Sequence, residues 1–188
     1  MPITFSVIMA ITGGIILWTI FIQRKLVVLD ENINNAMSQI GVQLSSRFDV
    51  LMALLDLTKG YAKDESEILI ETIKASRRVI TAKSTPNDVL YQEEVISEAL
   101  GKIAMVTEQY PELKINPMYI KTMDAVETFE NMVRTSRLIY NDSVSKLNRE
   151  IRMLPVSMIS GILGFWQREY LVEQPSKVDR PSMGRVRK

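Results

Sequence analysis

Residues 3–22 run Ile-Thr-Phe-Ser-Val-Ile-Met-Ala-Ile-Thr-Gly-Gly-Ile-Ile-Leu-Trp-Thr-Ile-Phe-Ile without one charged side chain. No other feature constrains the fold as strongly. In hydrocarbon every backbone N–H and C=O needs an internal partner, so an isolated segment of this kind must be helical, and about 20 residues at 1.5 Å each cross a bilayer. A cleaved signal peptide would bring a basic leading region, a shorter apolar core and a small-residue cleavage site. Here Met1-Pro2 offers no basic side chain, and Gln23-Arg24-Lys25 follows the apolar run directly. The segment therefore reads as a retained single-pass anchor over residues 1–22. Arg24 and Lys25 flank its C-terminal end and no charge precedes it, so the positive-inside rule puts the N-terminus outside the cell membrane and the remainder in the cytoplasm. Gly13-Gly14 lacks a full small-xxx-small pattern and reads as a tolerated pair.

The remainder is long enough for one domain, since the whole chain has 188 residues and domains commonly run about 100–200. A net charge of +1 supplies no basic field for nucleic acid. Cysteine and histidine are both absent. That removes disulfides, thiolate and imidazole metal sites, a Cys nucleophile and the usual general base near neutral pH. No segment alternates with period two and none carries a hairpin signal, so the expected class is all-α.

Four helical stretches follow the anchor. Ile33, Met37, Ile40, Leu44, Phe48, Leu51 and Leu55 recur at three- and four-residue steps, the stripe of a helix over 23–59 continuous with the anchor, with Gly60 placed to end it. A second opens at Asp64, with Glu67 at its third position, and extends to about Ser84 with Leu69, Ile73, Ser76 and Ile80 inward. Thr85-Pro86 begins a third, striped by Ile96, Leu100, Ile103, Val106 and Tyr110 and stopped by Pro111. Gly101 lies within it, at a cost of about 1 kcal/mol against alanine unless a neighbour approaches closely there. Asn116-Pro117 opens the last, to Leu154, with Ile120, Met123, Val126, Val133, Tyr140, Val144, Leu147, Ile151 and Leu154 on one face.

Glu130 and Arg137 share that face, and a buried charge without a partner is expensive. Gln39, Gln43 and Arg47 on the first helix are the candidate partners. Tyr140 and Asn141, with Asn148, complete an expected polar network that fixes helix registry.

Length sets the expected architecture. Segments 23–59 and 117–154 would each reach about 55 Å and the middle pair about 30–35 Å. Short connections favour antiparallel neighbours. The prediction is an N-terminal transmembrane helix continuous with an antiparallel up-down four-helix bundle over 23–155, returning to the bilayer near Pro155. Residues 156–173 would form a short amphipathic helix, either at the membrane interface through Phe165, Trp166 and Tyr170 or packed on the bundle's end. The tail, 174–188, carries Lys177, Arg180, Arg185, Arg187 and Lys188 against Asp179. It reads as flexible, solubilising or touching anionic lipid.

Particular residues carry a family resemblance: Ala36-x-Ser-Gln-Ile-x-Val-Gln-Leu44, Arg47-Phe-Asp49, Lys59-Gly-Tyr-Ala62 and Glu108-x-Tyr-Pro-Glu-Leu-Lys-x-Asn116. Glu130-Asn131, Arg137, Tyr140-Asn141, Val144, Asn148, Leu154-Pro155 and Gly164-Phe165 continue it. In this order they resemble the LemA family. The resemblance implies a bacterial single-pass membrane protein with an antiparallel helical bundle, its domain cytoplasmic, no known cofactor and no established activity. The chain departs from the family pattern at Met52-Ala53, where a proline and an asparagine are usual, and at Asp64, often histidine. The first difference removes a proline kink from the first helix, and the second weakens any metal site there.

No phosphate loop, dinucleotide fingerprint or nucleophile elbow is present. Asp30-Glu31 and Glu93-Glu94 are sequence neighbours, about 100° apart on a helix, so neither pair converges as a catalytic dyad or metal cage, and both read as charges on solvated faces. The 110–114 turn reads as a helix stop or a docking loop. The function expected is a membrane-anchored scaffold without cofactor or metal, assembling with itself or with other envelope proteins in contact with the lipid bilayer and not with nucleic acid. Membrane-surface remodelling or lipid sensing through Phe165, Trp166 and the tail is the alternative, and an enzyme using carboxylates and tyrosine the remote third.

Overall fold

The uncharged run and the stripe behind it form one unbroken helix in the computed structural model, which describes residues 2–61 and 63–172 (side chains 2 and 63–65 excepted). This helix, α1, spans Pro2–Thr58, about 85 Å at 1.5 Å per residue. Its two parts differ in what surrounds them. Ile3, Phe5, Met9, Leu17 and Phe21 are exposed, whereas Leu26, Ile33, Met37, Ile40, Leu44, Phe48, Leu51 and Leu55 are buried. The leading part is long and apolar enough to cross a membrane, with mean hydropathy 2.2. Nothing lies within 4 Å of a Cβ built on Gly13 or Gly14.

Four further helices follow: α2 (Lys63–Ser76), α3 (Pro86–Gln109), the single turn α4 (Pro111–Lys114) and α5 (Pro117–Arg152). No strand occurs among the described residues. Helix α5 covers α1 along most of its buried stripe. Lys25–Glu150 (2.7 Å) and Arg47–Glu130 (2.8 Å) pair rising numbers on α1 with falling numbers on α5, so the two run in opposite directions. Val126, Val133, Tyr140, Val144, Leu147 and Ile151 fill the seam, while the stripe's terminal members Ile120 and Leu154 are exposed. Leu113 of α4 is buried, and Tyr110 before it packs its ring against Tyr61 at 5.9 Å.

Caps set the later helix starts. Thr85 accepts from the Asp88 amide while the Asp88 carboxylate accepts from the Thr85 amide, a closed capping box ahead of Pro86. The Asn116 side chain accepts from the Met118 amide at 2.9 Å. The hydrogen bonds around Asp88 hold its carboxyl below the usual carboxylate range, those from Thr85 contributing most.

Helix α2 stops at Ser76, not near Ser84. The chain leaves the helix because residues 77–85 gain more by turning against their neighbours. Arg77 stacks on the Phe48 ring at 4.5 Å and reaches Ser45 (2.7 Å) and Asp49 (3.1 Å). The Arg78 amide donates to Gln92 Oε1 at 2.6 Å. The Ile80 carbonyl lies so close to Gly41 that any Cβ there would collide with it. Gly41 is thus the glycine required for close approach, whereas a Cβ on Gly101 would meet open space. Gly60 does not adopt the left-handed conformation of a glycine cap. The helix ends instead in a turn closed by the Tyr61 amide on the Thr58 carbonyl (2.9 Å), with Thr58 Oγ1 against Ser66 Oγ (3.0 Å).

Beyond α5 the expected amphipathic helix does not form. Val156–Met158 make a 3-10 turn, further turns follow, and Gly164 reverses the chain at φ 81°. Residues 165–172 are then a non-helical strap folded back on α5 and α1. The tail residues Lys177, Asp179, Arg180, Arg185, Arg187 and Lys188, and the Asp64 side chain expected to cap α2, lie outside the described residues.

Candidate functional site

The polar residues singled out on α5 are placed in two groups. The lower group holds the strap. Asn148 Nδ2 donates to the Arg168 carbonyl (2.9 Å) and its Oδ1 accepts from the Arg168 amide (2.8 Å). Asn141 does the same with Leu171, at 3.0 and 2.8 Å. Each carboxamide thus stands in for a neighbouring strand, offering one donor and one acceptor to one residue. The spacings match: seven residues of helix rise about 10.5 Å, and three extended residues cover about 10 Å. The order is reversed, with Asn148 on Arg168 and Asn141 on Leu171, so the strap climbs α5 away from Pro155.

Two further contacts complete this clamp. Tyr140 Oη donates to the Glu169 carbonyl at 3.0 Å. Burial pushes the Tyr140 phenol up, with Glu169 adding and Arg168 opposing, which keeps the hydroxyl a donor. Arg168 Nε and Nη2 both donate to Asp30 Oδ1 on α1, at 3.0 and 2.8 Å. Leu171 is 1% exposed and seals the groove. The strap therefore joins α5 to α1. Asn141 and Asn148 were expected to set helix registry; they bind this segment instead. Sequence reasoning missed Asp30 and Arg168, whose one signal is that Arg168 is the first charge after a long neutral run.

The upper group is ionic. Arg47, 7% exposed, donates from Nη2 to Glu130. Arg137 finds its partner on α3 and not on α1: Nη1 bridges both Glu93 oxygens at 3.0 and 2.8 Å. Gln39 is exposed and Gln43 half-buried, while Glu130 and Arg137 pair with Arg47 and Glu93. Glu93 was read as a solvated charge, since its neighbour in sequence gives no hint of a partner 44 residues away. With Asn131 and Arg134 these residues line an open polar cleft of about 200 Å³. Its carboxylates face guanidinium groups, an arrangement that fixes helix positions. Among the described residues no group of three or more Asp or Glu is placed to hold a metal ion.

The expected membrane-interface residues divide. Arg24 is exposed, and Lys25 pairs with Glu150 at 2.7 Å. Trp166 is 72% exposed at the base. Phe165 turns inward against the core. Tyr170 lies on the strap between the two asparagine anchors, which carries it up α5 away from the base.

The sequence pattern of the LemA family matches residues 36–183. The chain is also similar to magnetosome proteins MamQ 1 and MamQ 2 of Paramagnetospirillum magneticum, each 35% identical over 78 residues, 42% of this chain and 29% of the relative. MamQ of Magnetospirillum gryphiswaldense is 30% identical over 78 residues, with the same coverage. The chain spans under a third of the length of these curated relatives.

Proposed function

The chain belongs to the LemA family, and on that premise we propose that it is a single-pass membrane scaffold that self-assembles or organises other membrane proteins. The observation that carries this reading is the continuity of α1. One helix is exposed and apolar over its first turns and is the spine of the helical body over the rest. With no break between them, a position in the bilayer becomes a position of the body. In this reading α1, α2, α3 and α5 alternate in direction as an antiparallel four-helix bundle standing off the cytoplasmic face, with the N-terminus outside.

Three points favour assembly over catalysis. Several polar side chains at the helix seams join elements: Arg47 to Glu130, Arg137 to Glu93, and the asparagines to the strap. The Asp88 carboxyl, held low, serves a helix cap, and the Tyr140 phenol, pushed up, serves this clamp. Met132, Leu138 and Ile139 of α5 are 43%, 66% and 46% exposed, an outward apolar surface midway along the body.

The chain has no cysteine, so single-cysteine variants test the reading directly. A short bis-maleimide should trap Leu138→Cys in membranes as dimers or larger species, and an impermeant maleimide added to intact cells should label Pro2→Cys, ahead of the apolar run, but not Ile115→Cys. Monomer alone at several such positions counts against assembly; labelling of Ile115→Cys reverses the orientation.

A further inference from the structure

Residues 153–167 contain no charge, and in the folded chain this loop is two-sided. Val156 and Ser160 are buried, and Ile159, Leu163 and Phe165 pack against the core. Leu154, Met158, Ile162 and Trp166, four residues apart in turn, are 76%, 71%, 86% and 72% exposed. Large apolar side chains displayed together on a loop this short mark a contact surface. The Trp166 ring lies 3.6 Å from the position of a Cβ on Gly161, which folds the end of the loop back on its middle.

Position says what the surface meets. The Lys25–Glu150 ion pair sets the level of α5 against α1. Four residues past Glu150, just beyond the end of α5, the chain reaches Leu154, and one turn back along α1 reaches Phe21, 68% exposed at the end of the apolar run. The loop therefore continues the surface of the apolar helix sideways at the height where that helix ends. Arg24 on α1 and Arg149 and Arg152 in the last turn of α5 are exposed near the same level, suited to anionic headgroups.

We propose that residues 153–166 are a second membrane contact, seated in the interfacial layer of the bilayer that α1 crosses. Leu154, Met158, Ile162 and Trp166 enter the acyl boundary, and Arg24, Arg149 and Arg152 meet lipid phosphates. This rests on the reading of α1 as a span and adds to it. A body held at both α1 and the loop cannot pivot freely about its anchor, so its faces are presented at a fixed angle to the membrane.

The test uses full-length Ile11→Cys, Ile162→Cys and Ile115→Cys variants carrying an environment-sensitive fluorophore, in phosphatidylcholine–phosphatidylglycerol vesicles. Ile115 lies at the opposite end of α5 and is 75% exposed. Labels at 11 and 162 should lose emission to brominated acyl chains, and the label at 115 only to aqueous iodide. Quenching at 11 by lipid with iodide alone reaching 162 overturns the loop contact and leaves the span standing. Shielding of 162 from both quenchers also overturns it, because a second copy or another protein then covers the loop. Failure of lipid to quench position 11 overturns the span and this proposal with it. Met158→Cys repeats the measurement on the same face, so displacement by one label cannot decide the result.

Discussion

Two glycines inside helices of this chain should respond to alanine with opposite signs. Alanine is favoured over glycine in a helix interior by about 1 kcal/mol. At Gly101, where a Cβ meets nothing within 4 Å, that gain should stand alone: Gly101→Ala stabilises by about 1 kcal/mol. At Gly41 the same gain is opposed by a collision with the Ile80 carbonyl. The carbonyl belongs to backbone, and its segment is held by Arg77 on Phe48 and by the Arg78 amide on Gln92, so it cannot swing aside as a flexible side chain would. Overpacking of a fitted interior costs about 1–3 kcal/mol; a collision with backbone belongs at the top of that range. Gly41→Ala should therefore destabilise by about 1–2 kcal/mol net. For a body of this size 1 kcal/mol corresponds to about 3–5 °C in Tm. Helix melting of the full chain in detergent, followed by circular dichroism, reads both. Shifts in the same direction would refute the argument that the 77–85 segment lies against Gly41.

The other predictions concern the polar contacts. Arg137→Met leaves Glu93 (side chain 18% exposed) without its guanidinium and should cost about 2–3 kcal/mol, while the exposed neighbour Arg134→Ala changes stability by less than about 0.5 kcal/mol; denaturant titration compares them. Asn148→Ala removes two hydrogen bonds and strands the Arg168 amide and carbonyl, about 2–3 kcal/mol, and faster hydrogen exchange of the Leu171 amide should report it. Asp88 has a lowered pKa when folded, so its contribution is fully present above the ordinary carboxylate range and is lost as pH falls through and below it. Amides at the start of α3 should exchange faster there, an effect that Asp88→Asn abolishes.

How far the fold was legible depended on the distance between a residue and whatever decides its conformation. The stripe from Ile33 to Leu55 needed only the helical period, and all its members are buried. Thr85 and Asn116 announced their helices because a cap acts over two or three residues. The end of α2 was not legible, since Ser76 is followed by residues whose partners, Gly41, Phe48 and Gln92, sit on other helices. The same holds for the strap. Its sequence has no strand pattern, and its partners are side chains two helical turns apart on α5. The resemblance marked Asn141 and Asn148, but physical reasoning assigned them to helix registry because no segment was yet available to occupy them. Glu93 failed similarly: a charge looks solvated until the fold brings Arg137 beside it. Gly101 reads in the sequence as a cost unless a neighbour approaches closely, and none does; Gly41, which the sequence does not mark, is the glycine with such a neighbour.

Assembly at the membrane is read most directly by counting copies. Full-length protein extracted with its surrounding lipid into polymer nanodiscs and measured by single-particle imaging and mass photometry should show several helical bodies per particle, all on one face of the disc and at one fixed angle. A single body per particle, unchanged as protein density in the source membrane is raised, would contradict a self-assembling scaffold.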